Sequence, residues 1–375
     1  MSFGAILKRY FPFRYPLKSL WSALKTRQER KRMHLSSMEK VRVFYGHQHV
    51  PSLDEVAFGG MVKFQWMQTL YPNAPQKFNT LYMVSSKPPE GAVHIARTAQ
   101  KMGARLIWNQ NGVAYPGWYG WRWKERNRSM AQVLHMADHV FYQSEFCKMA
   151  ADKFLGPCNK TSEILYNPID TTKFTPPQKH PTALTLLLAG NQYQYYRLEA
   201  ACKTLALVRK KHPDAHLIVT GKLNWLPNAK ETSRIAQKLV EDLNITDAVT
   251  FYGPYSQMEA PDLFRSAHIL LHTRYNDPCP TVVIEALACG LPVVYSQSGG
   301  TPELVGPQAG IGIPAELNWE IEQPPTPEDL AEATLTIATN HTHYAQEARK
   351  QAVSKFDLKP WLLRHQHVFE SLLQG

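Results

Sequence analysis

At 375 residues, 44% of them hydrophobic and 19% charged, the chain is too long for one small core and too apolar to stay disordered, which points to two domains. Its five cysteines (Cys147, Cys158, Cys202, Cys279 and Cys289) are odd in number and never spaced C-x-x-C, which argues against a disulfide framework or structural zinc and fits a reducing, cytoplasmic compartment. The net charge of +11 is lopsided: residues 1–40 hold ten Lys or Arg against Glu29 and Glu39, giving +8 and leaving +3 for the remainder.

That first segment has two readings. Leu17, Leu20, Trp21 and Leu24 share one helical face, and Phe3, Tyr10, Phe11, Phe13 and Tyr15 alternate with Lys8, Arg9 and Arg14 ahead of them. Such a peptide suits the headgroup region of an anionic membrane, making the protein peripheral on the cytoplasmic face. It equally suits a helix packed on the body of the protein with solvated charge behind it. No nucleic-acid motif accompanies the charge, so no nucleic-acid partner is expected. No apolar run reaches the ~20 residues of a membrane span, and the N-terminus has no signal-peptide core.

From residue 41 the sequence alternates β-rich runs with amphipathic segments, the pattern of a parallel sheet flanked by helices. "VRVFYG", "FNTLYMVS", "ARLIWNQ", "HVFYQS" and "SEILYN" read as strands, with "PEGAVHIARTAQKMG" and "MAQVLHMA" as helices between them. Three prolines in "TTKFTPPQKHPTA" interrupt the alternation, which places a boundary at 180/181. The pattern restarts with "LTLLLAGN", "AHLIVTG", "AVTFYG", "HILLHT", "LPVVYS" and "GIGIP". Residues 326–375 read as helical, with a break at Pro360. The expected organisation is a basic segment 1–40, a Rossmann-like domain 41–180, a second 181–357, and a C-terminal helix 358–375.

Within "NDPCPTVVIEALACGLPVV", Asp277 and Glu285 lie eight residues apart, which is not the spacing of one solvated helical stripe. A helix beginning near Pro280 or Thr281 would leave the amides of Thr281, Val282 and Val283 free for an anion. The bland reading has Asp277 making a turn and Glu285 paired or at the surface. Gly59 and Gly60, in "FGGMVKFQWMQTL", would open a helix and let bare backbone approach a ligand, or form an ordinary turn.

The stretch "NDPCPTVVIEALACGLPVVYSQSGGTPELVG" resembles the signature region of retaining, family 4 glycosyltransferases of the GT-B fold, in which an acid, seven residues and a Glu recur. "FGGMVKFQWMQTL", "ADHVFYQSE", "ILYNPIDTTKF" and "LLLAGNQYQYYRLEAACKTL" extend the resemblance over nearly the whole chain after residue 40. It implies an α/β, GT-B fold: two Rossmann-like domains facing across a cleft, with the C-terminal helix crossing back to the first. It also implies transfer of a sugar from a nucleoside-diphosphate-sugar, held by the second domain, to a glycan or lipid-linked acceptor held by the first.

By the same resemblance Glu285 accepts the donor's ribose hydroxyls and Asp277, where the family usually has Glu, a donor-sugar hydroxyl. Pro280, Thr281 and Val282 meet the diphosphate, and Gly59 and Gly60 line the donor. Cations must meet the departing diphosphate. The family's Arg after the first glycine of the second domain is Asn191 here, Arg197 aligns with its Lys, and Lys222 adds charge. Asn111 stands where many relatives have His, so this position can hydrogen-bond but not titrate. Trp118, with Trp121 and Trp123 among Arg122, Lys124, Arg126 and Arg128, suits a sugar ring, a membrane interface, or burial against the N-terminal segment. No D-x-D occurs and the histidines lack ligand spacing, so no metal or other cofactor is expected. An epimerase or phosphorylase on the same fold, or a non-catalytic sugar-nucleotide-binding protein, are the alternatives.

Overall fold

The computed structural model describes residues 27, 30–55, 57 and 59–374, so the Leu17–Leu24 stripe and most of the basic segment lie outside the described residues. The chain divides into two units, Met1–Tyr166 with Leu358–Gly375, and Asn167–Asp357. Among the described residues no helix is long and apolar enough to cross a membrane.

In the first unit, β1 (His34–Leu35) pairs with β3 (Lys77–Phe78). The main sheet joins β2 (Val43–Phe44), β4 (Thr80–Val84), β5 (Arg105–Gln110), β6 (His139–Tyr142) and β7 (Thr161–Ile164), side by side in chain order and all parallel. Every residue of β4 and β6 is buried, as a parallel sheet covered on both faces requires. Helix α1 (Gly60–Gln68) precedes β3, and α2 (Trp123–Met136) leads into β6.

The second unit builds its sheet from β8 (Thr185–Leu188), β9 (His216–Thr220), β10 (Val249–Gly253), β11 (Ile269–His272), β12 (Val293–Gln297) and β13 (Gly310–Pro314). Their order is β10-β9-β8-β11-β12-β13, all parallel, so the chain winds one way from β8 and then the other from β11. This is the doubly wound Rossmann order, and its point of reversal lies between β8 and β11. Helices α3 (Tyr195–Val208) and α4 (Thr281–Ala288) follow those two strands. Leu186, Leu188, Leu198, Leu205, Leu217, Val219, Leu330 and Ile337 form the core beneath α3.

The final helix, α5 (Leu358–Gln374), completes the core of the first unit: Trp361, Val368 and Phe369 pack with Tyr45, Phe64, Tyr82, Ile107 and Phe141. The Tyr82 hydroxyl lies 3.1 Å from His365 Nε2, and Arg364 grips Glu163 with two bonds of 2.8 and 2.9 Å. Burial pushes His365 down to about 3, so it serves as a neutral hydrogen-bonding ring.

The helical break expected at Pro360 falls just ahead of it, at Phe356–Asp357, and Pro360 occupies the first turn of α5, where an amide would have no intrahelical partner. The domain division falls at 166/167 and not 180/181. The proline-rich stretch is bound into the second unit: Arg349 donates to the carbonyls of Thr171, Phe174 and Ala288 at 2.6–2.8 Å, and Asn167 Nδ2 to Cys279 O at 3.0 Å.

Candidate functional site

In an open parallel sheet, ligands bind outside the strand C-termini where the winding reverses. That rule singles out the loops after β8 and β11. The loop after β8 and its neighbour after β9 leave their strands through backbone that only small residues allow. Gly190 and Gly221 have φ of +81° and +79°, and a Cβ on Gly221 would fall 2.4 Å from Gly190 O.

Asn191 latches these loops together, its Oδ1 accepting from Lys222 N at 2.7 Å, while Gln192 N donates to Lys222 O at 2.8 Å. The position where a cation is expected by resemblance therefore holds a loop fastener. Positive charge comes instead from Arg197, in the first turn of α3. The resemblance aligned it with the family's Lys, and here it is 96% buried, with Nη1 donating to Asn191 O at 2.9 Å. Burial and then the neighbouring Arg274 lower it to about 10, so it stays a cation at neutral pH.

β11 ends in His272, and the five residues after it carry the acid. Asp277 is buried, with Oδ2 3.2 Å from His272 Nε2 and 3.3 Å from Arg274 Nη1. Burial alone would raise its pKa, but Arg274 and His272, with Arg197 behind them, overcome that and hold it well below the usual carboxylate range. Asp277 is a fixed anion.

Its backbone is clamped by the loop after β12. Gly300 N donates to Asp277 O at 2.8 Å, Asn276 N (φ +48°) donates to Ser298 Oγ at 2.8 Å, and a Cβ on Gly299 would sit 2.5 Å from Asp277 O. The "SGG" of the sequence is thus a seat for the acid.

Helix α4 begins at Thr281 with Pro280 as its extended N-cap. Val283 N donates to Pro280 O at 3.2 Å, so the expectation of three free amides is reduced to two, those of Thr281 and Val282. A Cβ on Gly190 would lie 3.4 Å from Val282 Cγ1, so the end of β8 and the start of α4 meet.

One turn on, Glu285 is 98% buried and accepts from Gln257 Nε2 at 3.1 Å. Burial raises its pKa to about 7, with Gln257 pulling the other way. The Tyr255 phenol is pushed well above its usual value by burial and then by Glu285, which puts it beside that carboxylate. The arrangement can receive an anion between cations and amides, with two different carboxyl groups available for hydroxyls. Asp277 is always charged, whereas Glu285 is poised between its two forms.

The remaining candidates form a group within the first unit. Gly59 (φ +57°) caps α1, and a Cβ on Gly60 would lie 2.9 Å from both Ser86 Oγ and Val84 Cγ2. Asn111 follows β5, with its amide on Ser85 Oγ at 2.7 Å and its Oδ1 accepting from Gly112 N at 2.8 Å. Gly60 and Asn111 thus both border the end of β4. Trp118 lies apart on the half-exposed helix Pro116–Tyr119.

Residues 170–353 match the family described as "Glycosyl transferases group 1". The chain is similar to D-inositol 3-phosphate glycosyltransferases. One, from Mycobacteroides abscessus, is 39% identical over 49% of this chain and 42% of its own length, and one from Paenarthrobacter aurescens is 32% identical over 32% and 29%. The chain spans less than half the length of these curated relatives. Among solved structures, Anabaena HepE in complex with UDP-glucose shares the two-domain GT-B fold at a TM-score of 0.62, with 16% identity over 78% of this chain and 79% of that one.

Three members of this site escaped the sequence reading: His272, Arg274 and Gln257. The first two were within reach, since "HILLHTR" reads as a strand running into a cation at its C-terminal, ligand-bearing end.

Proposed function

We propose that the protein is a retaining, metal-independent glycosyltransferase that moves a hexose-like sugar from a nucleoside-diphosphate-sugar to a hydroxyl of a glycan or lipid-linked acceptor. The carrying observation is the reversal of strand order, with Asp277, Arg274 and Arg197 at one side of it and Glu285 one turn into α4. Glu285 accepts the ribose hydroxyls. The Thr281 and Val282 amides, Arg197, Arg274 and Lys222 meet the diphosphate. Asp277 holds a sugar hydroxyl.

The sugar C–O bond to the diphosphate breaks, the acceptor oxygen forms its bond on the same face, and the acceptor proton passes to the diphosphate oxygen. Charge accumulating on the leaving group is met by fixed cations and amides, which is the work a divalent metal would otherwise do. Gly59, Gly60 and Asn111, none of them titratable, position and do not exchange protons.

A uridine diphosphate donor and an inositol phosphate acceptor are the first to test, because the HepE neighbour was solved with UDP-glucose and the similar curated proteins are named for inositol phosphate. The experiment is calorimetry of the full chain against UDP, GDP, ADP and CDP with a chelator present. One diphosphate should bind selectively, and its sugar should turn over when an acceptor is added. Binding that appears only with added divalent metal contradicts metal independence, and binding without turnover favours a non-catalytic protein.

A further inference from the structure

In the first unit, the segment after β5 turns its aromatic side chains outward. Trp121 is 86% exposed, Trp118 44% and Tyr119 43%. Large apolar rings ordinarily go inside, and a run of them left at the surface marks a contact. Arg122, Lys124, Arg126 and Arg128, all exposed, are interleaved with them against one acid, Glu125, for a net +3 over residues 116–128.

This surface has a firm backing. Trp123 packs edge-on against Phe154 at 5.2 Å, and Tyr115 bridges Phe154 and Trp118 at 6.3 and 6.1 Å. Lys124 and Lys153 lie over the Trp123 and Phe154 rings at 5.5 and 5.8 Å, and Arg122 over Trp121 at 5.7 Å. Arg122 also pairs with Glu125 at 2.7 Å, which leaves the acid spoken for.

Charge selects the occupant. Residues 1–40 carry +8, so they are repelled from a +3 surface, as is a second copy presenting the same face. An anionic surface is attracted. Exposed tryptophans among lysines and arginines are also the chemistry of the bilayer headgroup zone, where amphipathic rings sit between water and acyl chains and cations meet lipid phosphates.

We propose that residues 116–128 dock the protein on an anionic lipid bilayer, with Trp118 and Trp121 entering the headgroup region and Arg126 and Arg128 meeting lipid phosphates. The segment leaves the strand end that bears Asn111. If the transfer reading above holds, docking brings that end to membrane-borne acceptors; the docking itself does not depend on it.

The test is sedimentation of the full chain with vesicles of phosphatidylcholine containing phosphatidylglycerol and, in parallel, of phosphatidylcholine alone, which needs no turnover. The wild type should bind the anionic vesicles and lose them at high salt. Trp121→Ala should bind about tenfold more weakly. The double variant Arg126→Ala/Arg128→Ala should lose about fivefold per arginine. Both substitutions are at exposed positions, so thermal melting should stay at the wild-type value. Unchanged binding in the double variant, equal binding to neutral vesicles, or binding to a soluble acidic glycan without vesicle binding would each overturn the proposal.

Discussion

The two units use parallel sheets in different ways. In the second, winding reverses between β8 and β11, and ionisable side chains gather at the reversal: Arg197, His272, Asp277 and Glu285, all buried, and the half-buried Arg274. In the first, the strands of the main sheet lie side by side in chain order, and the candidates at its strand ends, Gly59, Gly60 and Asn111, are all uncharged. A reversal splays successive helices apart and opens a crevice where desolvated charge can be held by backbone dipoles. Without one, the strand ends offer backbone and amide contacts. On the function proposed above, the second unit takes the phosphate-bearing ligand and the first the acceptor hydroxyl.

The comparison breaks most visibly if damage to the first unit reaches nucleotide binding. Phe369→Ala removes a fully buried ring shared by α5 and the first sheet. It should cost about 3–5 kcal/mol of stability in denaturant unfolding while leaving nucleotide affinity of the folded protein unchanged. Asp277→Asn acts on the site. It removes the fixed anion between His272 and Arg274, and turnover should fall about 10²–10³-fold with nucleotide affinity nearly retained, while the melting temperature drops because Arg197 and Arg274 lose their counter-charge.

Glu285→Gln separates stability from function in one residue. The native group at about 7 lies above the ordinary value of 4.5, so ionising it costs folding free energy. Stability therefore falls as pH rises from about 4.5 towards 7, and the whole cost, on the order of 3 kcal/mol, is present above that. The variant should flatten this slope and melt higher than the wild type at pH 8, yet bind nucleotide about 10- to 100-fold more weakly. The smallest effect is expected from Asn191→Ala. Losing the 2.7 Å bond to Lys222 N should cost about 1 kcal/mol and lower the melting temperature by a few degrees.

The strands were legible because parallel sheets buried on both faces demand continuous apolar runs, as in "LTLLLAG" and "HILLHT". The start of α4 was legible from Pro280 and the periodicity behind it. Arg197 was legible through the resemblance alone, since a first-turn arginine reads the same in sequence whether it faces solvent or, as here, lies beneath Asn191. His272 and Arg274 sat at a strand end that "HILLHTR" already offered, while strand order, set by tertiary packing, shows which strand ends flank the crevice. The boundary at 180/181 followed composition, whereas the side chains of Arg349 and Asn167 decide which unit owns residues 167–180.

The central claim is that the reversal in the second unit is a nucleotide site closed by Glu285. The most direct measurement is the affinity of the full chain and of Glu285→Gln for UDP, by calorimetry at pH 6 and pH 8. Ribose hydroxyls need the ionised carboxylate, and a group at about 7 is mostly protonated at pH 6 and mostly ionised at pH 8. The wild type should therefore gain about tenfold in affinity between the two, over and above whatever change UDP's own titration gives in the variant. The same pH dependence in both proteins, or equal affinities, would contradict the account.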